Sequence, residues 1–172
     1  MNIAKWIGVG TMVIGLIAVN LTIYKKEQVL ASGRIVLLEL APVDPRSLMQ
    51  GDYMRLRFAI TRKAFDLKAK EHNQDGYIIV SVNEHDVGRF IGMFQGEPLL
   101  EDQVKMQYRI RSNRVQFATN AFFFQEGTAQ QYEQARYGEF RVATSGELLL
   151  NTLRDENYKV IQGVAAGSSD NN

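Results

Sequence analysis

The 172-residue chain carries 20 Lys and Arg against 19 Asp and Glu and contains no cysteine. At 45% hydrophobic it is rich enough to bury a core, which excludes the disordered and low-complexity classes, and its length suits one domain or one domain with an anchor. A formal charge of +1 gives no net attraction for nucleic acid, so no nucleic-acid partner is expected, and the missing thiols exclude disulfides, Cys-ligated metals and thiolate nucleophiles.

Hydrophobicity is concentrated at the N-terminus. Trp6 to Tyr24 run for 19 residues without a charge. A helix of that length reaches about 28 Å at ~1.5 Å per residue, close to the ~30 Å hydrocarbon core of a bilayer. Trp6 and Tyr24 stand where interfacial aromatics belong, with Lys5, Lys25 and Lys26 just outside them. The alternative is a cleaved signal peptide ending near Val29 and Ala31. Against it, the apolar run exceeds a usual signal core, and Lys25, Lys26 and Glu27 separate it from the cut. The expected organisation is a membrane anchor at 1–26, a β-rich domain at 27–162 entered through a linker at Glu27–Ser32, and a disordered tail at 163–172. Lysines on both sides leave the positive-inside count nearly tied. An N-terminal helix followed by one domain behaves as a signal-anchor, which puts the domain outside the cytoplasm. Within the span, Gly8, Thr11, Gly15, Ala18 and Thr22 recur at spacings of three and four, one stripe of small residues suited to close packing against another transmembrane helix.

Beyond the anchor the chain reads mainly as strands. GRIVLLEL, Gly33 to Leu40, is too continuously apolar for a strand with one wet face. Pro42 and Pro45 break the following segment, and Gly51-Asp52 reads as a turn. Met54, Leu56, Phe58 and Ile60 then alternate with Tyr53, Arg55 and Arg57, a half-buried strand in which Leu56 and Phe58 face the core. Thr61 to Asn73 reads as a surface helix or loop. Strands are expected at Tyr77–Val82 and Val87–Phe94, separated by a polar loop at Asn83–Asp86. The sharpest alternation is Gln103 to Arg111, and Ser112-Asn113 would turn it into a second run, Arg114 to Phe124. T-x-x-Q at Thr128 to Gln131 resembles a capping box, with Gly138 as the helix stop. Two last strands, Glu139–Ala143 and Glu147–Leu153, flank a turn at Thr144-Ser145-Gly146. The expected fold is mainly β (α+β): a transmembrane helix, then an antiparallel barrel-like or sandwich domain with one or two short helices.

Catalytic and metal signals are sparse. His72 and His85 stand in polar stretches without a ligand partner at i+4, and no GxSxG or phosphate-binding loop occurs, so neither metal nor cofactor is expected. Asp44, Asp52, Glu126 and Glu139 lie beside expected turns, where carboxylates usually cap backbone N–H groups. Arg55, Arg57, Arg109, Arg111, Arg114, Arg136 and Arg141, with Tyr53, Tyr108, Tyr132 and Tyr137 among them, read as solvated strand faces with intramolecular ion pairs rather than an anion-binding face.

The segment APVDPRSLMQGDYMRLRF, Ala41 to Phe58, resembles the hallmark of the GDYXXLXY family of small bacterial membrane-anchored proteins. Gly51, Asp52, Tyr53 and Leu56 match the name motif, and Phe58 stands where the second Tyr belongs, keeping the ring and dropping the hydroxyl. A second similar block is FFFQEG at Phe122 to Gly127 followed by YEQARYGEFRV at Tyr132 to Val142. The resemblance implies an anchored domain outside the cytoplasm that associates with a multi-spanning membrane protein, and it carries over no catalytic residue. PRSLMQGD, Pro45 to Asp52, is also similar to a run in type I signal peptidases, but Pro42 occupies the place of their nucleophilic Ser, so no Ser–Lys dyad maps here. The expected function is therefore a membrane-anchored accessory protein, with a membrane-bound hydrolase using groups near Asp44 to Asp52, or a small-ligand-binding domain, as alternatives. The candidate interaction or motif residues are Asp44, Gly51, Asp52, Tyr53, Leu56, Glu126, Tyr132 and Arg136.

Overall fold

The computed structural model describes residues 3–41, 49–50, 53–61, 75–111 and 114–162, in which the apolar N-terminus forms helix α1, Ile3–Ser32. Every residue from Trp6 to Gln28 is exposed, and Trp6–Ser32 is long and apolar enough to cross a membrane. The polar side chains of the run satisfy themselves on the carbonyl one turn back: Thr11 Oγ1 donates to Ile7 O at 3.0 Å, Asn20 Nδ2 to Leu16 O at 2.9 Å and Thr22 Oγ1 to Ala18 O at 2.9 Å. Back-bonding of this kind lowers the cost of carrying Thr11, Asn20 and Thr22 through a hydrocarbon medium.

The expected linker at Glu27–Ser32 is instead the end of α1. Tertiary contacts keep it helical: Val29 packs against the domain at 8% exposure, Lys26 pairs with Glu147 in the turn between the last two strands, and the Gly33 N–H donates to Val29 O at 2.9 Å. A Cβ at Gly33 would collide with the Val29 carbonyl and crowd the Val142 amide nitrogen at 3.1 Å, so glycine is what lets the helix pass directly into the first strand.

Among the described residues ten strands follow: β1 (Arg34–Glu39), β2 (Met49–Gln50), β3 (Tyr53–Arg55), β4 (Asp75–Val82), β5 (Gly88–Met93), β6 (Gln103–Arg111), β7 (Arg114–Gln116), β8 (Ala121–Phe123), β9 (Tyr137–Val142) and β10 (Leu148–Arg154), with helix α2 (Ala129–Tyr132) before β9. They form three antiparallel sheets in the orders β1-β9-β10, β2-β3-β8 and β5-β4-β6-β7. Isolated bridges stitch the sheets together: Leu37 with Val87 joins β1 to the start of β5, and Leu40 with Phe58 joins the end of β1 to the chain beyond β3. All three sheets contribute to one core, including Val36, Leu38, Met54, Phe58, Val80, Met106, Phe140 and Leu153. The mainly β class and the antiparallel pairing are as the periodicity predicted.

The alternation of β6 sets Val104, Met106, Tyr108 and Ile110 inward, each at 7% exposure or less. In β1, Val36 and Leu38 face that core while Leu37, 1% exposed, lies under the turn at 83–87, its N–H bonded to Asp86 O at 2.7 Å. That explains a strand apolar on both faces. β6 and β7 pair as the expected hairpin, with Arg111 opposite Arg114.

Expectations for two later segments also fail. The run Arg114–Phe124 is not one strand: Phe117 turns fully into the core, Ala118 takes φ 39°, and β8 leaves to pair with β3. The helix expected from Thr128 to Gly138 is a single turn. Thr128 makes no side-chain cap; its hydroxyl donates back to Gln125 O at 2.6 Å. One turn has no helical partner beyond itself, and Gly138 belongs to β9. The expectations for Pro42, Asp44, Pro45, Gly51, Asp52, most of Thr61–Asn73, Ser112-Asn113 and the tail lie outside the described residues.

Candidate functional site

The two sequence blocks meet as one aromatic wall. Tyr53, Met54 and Arg55 of β3 pair with Phe123, Phe122 and Ala121 of β8. The Tyr53 and Phe123 rings lie 5.8 Å apart, and Phe123 is 74% exposed. The Leu56 N–H then donates to Asn120 O at 2.7 Å while its side chain is buried, and Phe58 sinks to 1% exposure. Its ring sits edge-on to Phe140 at 5.3 Å and Phe117 at 6.3 Å. Gly138 makes room for that ring: a Cβ there would stand 2.9 Å from a Phe58 ring carbon. Below, Tyr132 stacks on Phe124 at 5.3 Å and tilts against Phe122 at 5.1 Å.

The candidate residues therefore divide. Leu56 and Tyr132 are core residues, and Tyr53 is half-buried beside the exposed Phe123. Glu126 is exposed in the turn that Gly127 closes at φ 81°. Arg136 is an exposed side chain whose backbone ties two strands, its N–H bonding Arg154 O and its carbonyl accepting from the Leu40 N–H, both at 2.8 Å. Asp44, Gly51 and Asp52 lie outside the described residues. The expected Tyr/Arg face is corrected as well, because Tyr108 and Tyr132 are buried at 3% and 6% exposure.

The model of the GDYXXLXY protein family matches residues 15–153, a span that contains both blocks and most of α1. The chain belongs to the GDYXXLXY family. No curated protein and no solved structure matches it. The described part of the GDYXXLXY hallmark is a packing unit: Leu56 is buried in the core and Phe58 locks onto the YGEF segment of β9 at Gly138 and Phe140.

The same β9 segment carries a charged cluster that periodicity missed. Glu139 points to the face opposite Gly138 and Phe140, and is 2% exposed. Its carboxylate accepts from Arg154 Nε at 2.6 Å and from Asn151 Nδ2 at 2.8 Å, with Arg154 Nη2 at 2.5 Å and Arg141 Nε at 3.6 Å. Arg154 also donates through Nη1 to Tyr158 O at 2.7 Å. This brace is roofed by two loops. His85, in the turn before β5, stacks on Tyr158 at 5.1 Å, and Tyr158 tilts against Tyr137 at 5.1 Å. Tyr158 holds a left-handed φ of 62°, fixed by Asp155, whose Oδ1 accepts from the N–H groups of Asn157 at 2.8 Å and Lys159 at 2.9 Å.

The chemistry this cluster permits is limited. The Glu139 oxygens already accept from a guanidinium and an amide, so the carboxylate serves to hold β9 to β10. Burial pushes the Tyr137 hydroxyl above its ordinary pKa, helped by its hydrogen bond with Tyr158 and by electrostatic repulsion of its phenolate from Tyr158 and Glu39. Among the described residues no three His, Asp or Glu gather as a metal-ligating group. The polar alternation Tyr137, Glu139, Arg141 on β9 was a visible signal, but it reads equally as a solvated face. The covering loops, remote in sequence, make the difference.

Proposed function

We propose that the protein is a single-pass component of a bacterial inner membrane, with its β domain outside the cytoplasm, acting as an accessory subunit of a membrane complex by contact rather than catalysis. The observation that carries this reading is the unbroken α1: an exposed apolar helix runs straight into the domain and is clamped there by Val29, Lys26 and Gly33. A flexible tether would leave the domain free to swing; a clamped helix presents it at a set height and angle to whatever lies in the bilayer beside it. Membership in the GDYXXLXY family and the aromatic pair Tyr53 and Phe123 at the surface support the same reading.

The topology is tested by alkaline phosphatase fused after Val164. An active enzyme is expected, since it folds only outside the cytoplasm; an inactive fusion together with an active cytoplasmic reporter at the same site would reverse the orientation.

The proposed partner is a multi-spanning membrane protein that packs on the stripe Gly8, Thr11, Gly15, Ala18 and Thr22. Among the described residues a Cβ added at Gly8 or Gly15 meets nothing within 4 Å, so this side of α1 is open to them. Gly15→Leu is expected to insert normally and to lose a co-purifying membrane protein, because the added bulk separates the backbones. Val13→Leu adds bulk away from the stripe and should keep it. Equal recovery of every partner with both variants would remove the stripe as an interface.

A further inference from the structure

A groove of about 640 Å³ opens where α1 meets the domain, between the last turns of the helix, the start of β6 and the turn joining β9 to β10. Its charge is one-sided. Lys25, Arg34 and Lys105 line it, and Glu147 is the carboxylate among its lining residues, already paired with Lys26. Among the described residues the three cations have no acidic partner. Arg34 Nη1 donates to the Glu101 carbonyl at 2.6 Å, and the Lys105 ammonium lies over the rings of Tyr77 and Phe94 at 5.0 and 5.1 Å. Neither contact supplies a negative charge. Of the neutral side chains on the walls, the Ser32 hydroxyl already donates to Gln28 O at 2.8 Å, while Gln103, whose Oε1 accepts from the Leu100 N–H at 3.2 Å, brings an amide NH2. Three cationic side chains lining one groove, none of them matched by a carboxylate among the described residues, suit a phosphate.

Position and lip select the source of that phosphate. Lys25 directly follows the charge-free run that ends at Tyr24. From Lys25 to Ser32 the helix rises ~10 Å, and a headgroup layer is roughly 5–8 Å deep, so the mouth of the groove opens at headgroup level. Leu99 lines the groove at 38% exposure, and the adjacent Leu100 is 67% exposed. A soluble anion has no use for apolar groups beside its charge; an amphiphile does. We infer that this groove holds the phosphate headgroup of an anionic membrane lipid, its acyl chains running back along the apolar side of α1. The inference rests on the anchor reading above. Lipid held there would lock the helix–domain angle from outside, as the Lys26–Glu147 pair does from within.

The test uses the full chain, purified in mild detergent from membranes and examined by native mass spectrometry with phosphatidylglycerol or phosphatidylcholine added. Retention of phosphatidylglycerol over phosphatidylcholine is expected for the unaltered protein. The triple variant Lys25→Gln, Arg34→Gln, Lys105→Gln should lose that preference while its melting temperature is kept. Lys25→Gln alone, at an exposed helical position, should weaken it without touching the fold. Equal retention by the unaltered protein and both variants overturns the inference, as does release of the lipid by soluble glycerol 3-phosphate, which would make the groove a site for a free anion. Carbonate washing of the membranes separates this from the anchor reading. If the protein washes off, the anchor fails and the lipid site with it. If it stays and shows no lipid preference, only the lipid site falls.

Discussion

Phe58→Ala should cost about 3–5 kcal/mol, the range for removing a fully buried aromatic ring. The reason is positional. Phe58 is 1% exposed, wedged between Phe117 and Phe140, and rests on the bare backbone of Gly138. Its loss empties the contact between the β1-β9-β10 sheet and the segment following β3, where the Leu40–Phe58 bridge is among the few links. Thermal unfolding of the full chain in detergent would measure it, with a fall in Tm on the order of 10 °C for a domain of this size. Gly138→Ala approaches the same contact from the other side: its Cβ would arrive 2.9 Å from the ring, so it should destabilise, and far less so in a Phe58→Ala background where the ring is gone. Additive effects of the two changes would show that the hallmark segment and β9 are not packed as described.

Glu139→Ala should cost a comparable ~3–5 kcal/mol by a different route. A buried ion pair contributes little net stability over a well-packed apolar pair, because desolvation offsets the attraction; the damage comes from breaking it on one side only. Removing Glu139 leaves Arg154 and Arg141, at 23% and 25% side-chain exposure, without the carboxylate that both approach. The buried Arg141 Nε finds no hydrogen bond among the described residues and would lose the carboxylate 3.6 Å away. Combining Glu139→Ala with Arg154→Met should recover part of the loss, since the orphaned charge goes with its partner. Urea unfolding of the single and double variants gives the coupling. A double variant as unstable as the sum of its singles would mean that Glu139 acts through something other than this pair.

Much of the fold was legible in local pattern. The charge-free run of α1, the inward alternation of Met54, Leu56, Phe58 and Ile60, and the period of β6 all follow from side chains that repeat at the spacing of their own element. Those signals need no knowledge of what lies across the core. The hallmark and YGEF blocks were visible as motifs too, though not the reason for them.

What local pattern could not supply was set by partners distant along the chain. Residues 27–32 are polar enough to read as a linker, and stay helical because Glu147, 121 positions from Lys26, and the packing of Val29 hold them. Gly138 imitates a helix stop, and is a strand glycine because the Phe58 ring needs its empty side. Glu139 has the spacing of a solvated face and becomes a buried brace only once Arg154 and the loop around Tyr158 close over it. In each case the sequence determined which groups were available, by their size, charge and period, and tertiary structure decided their use, because burial is a property of what packs against a residue and not of the residue itself.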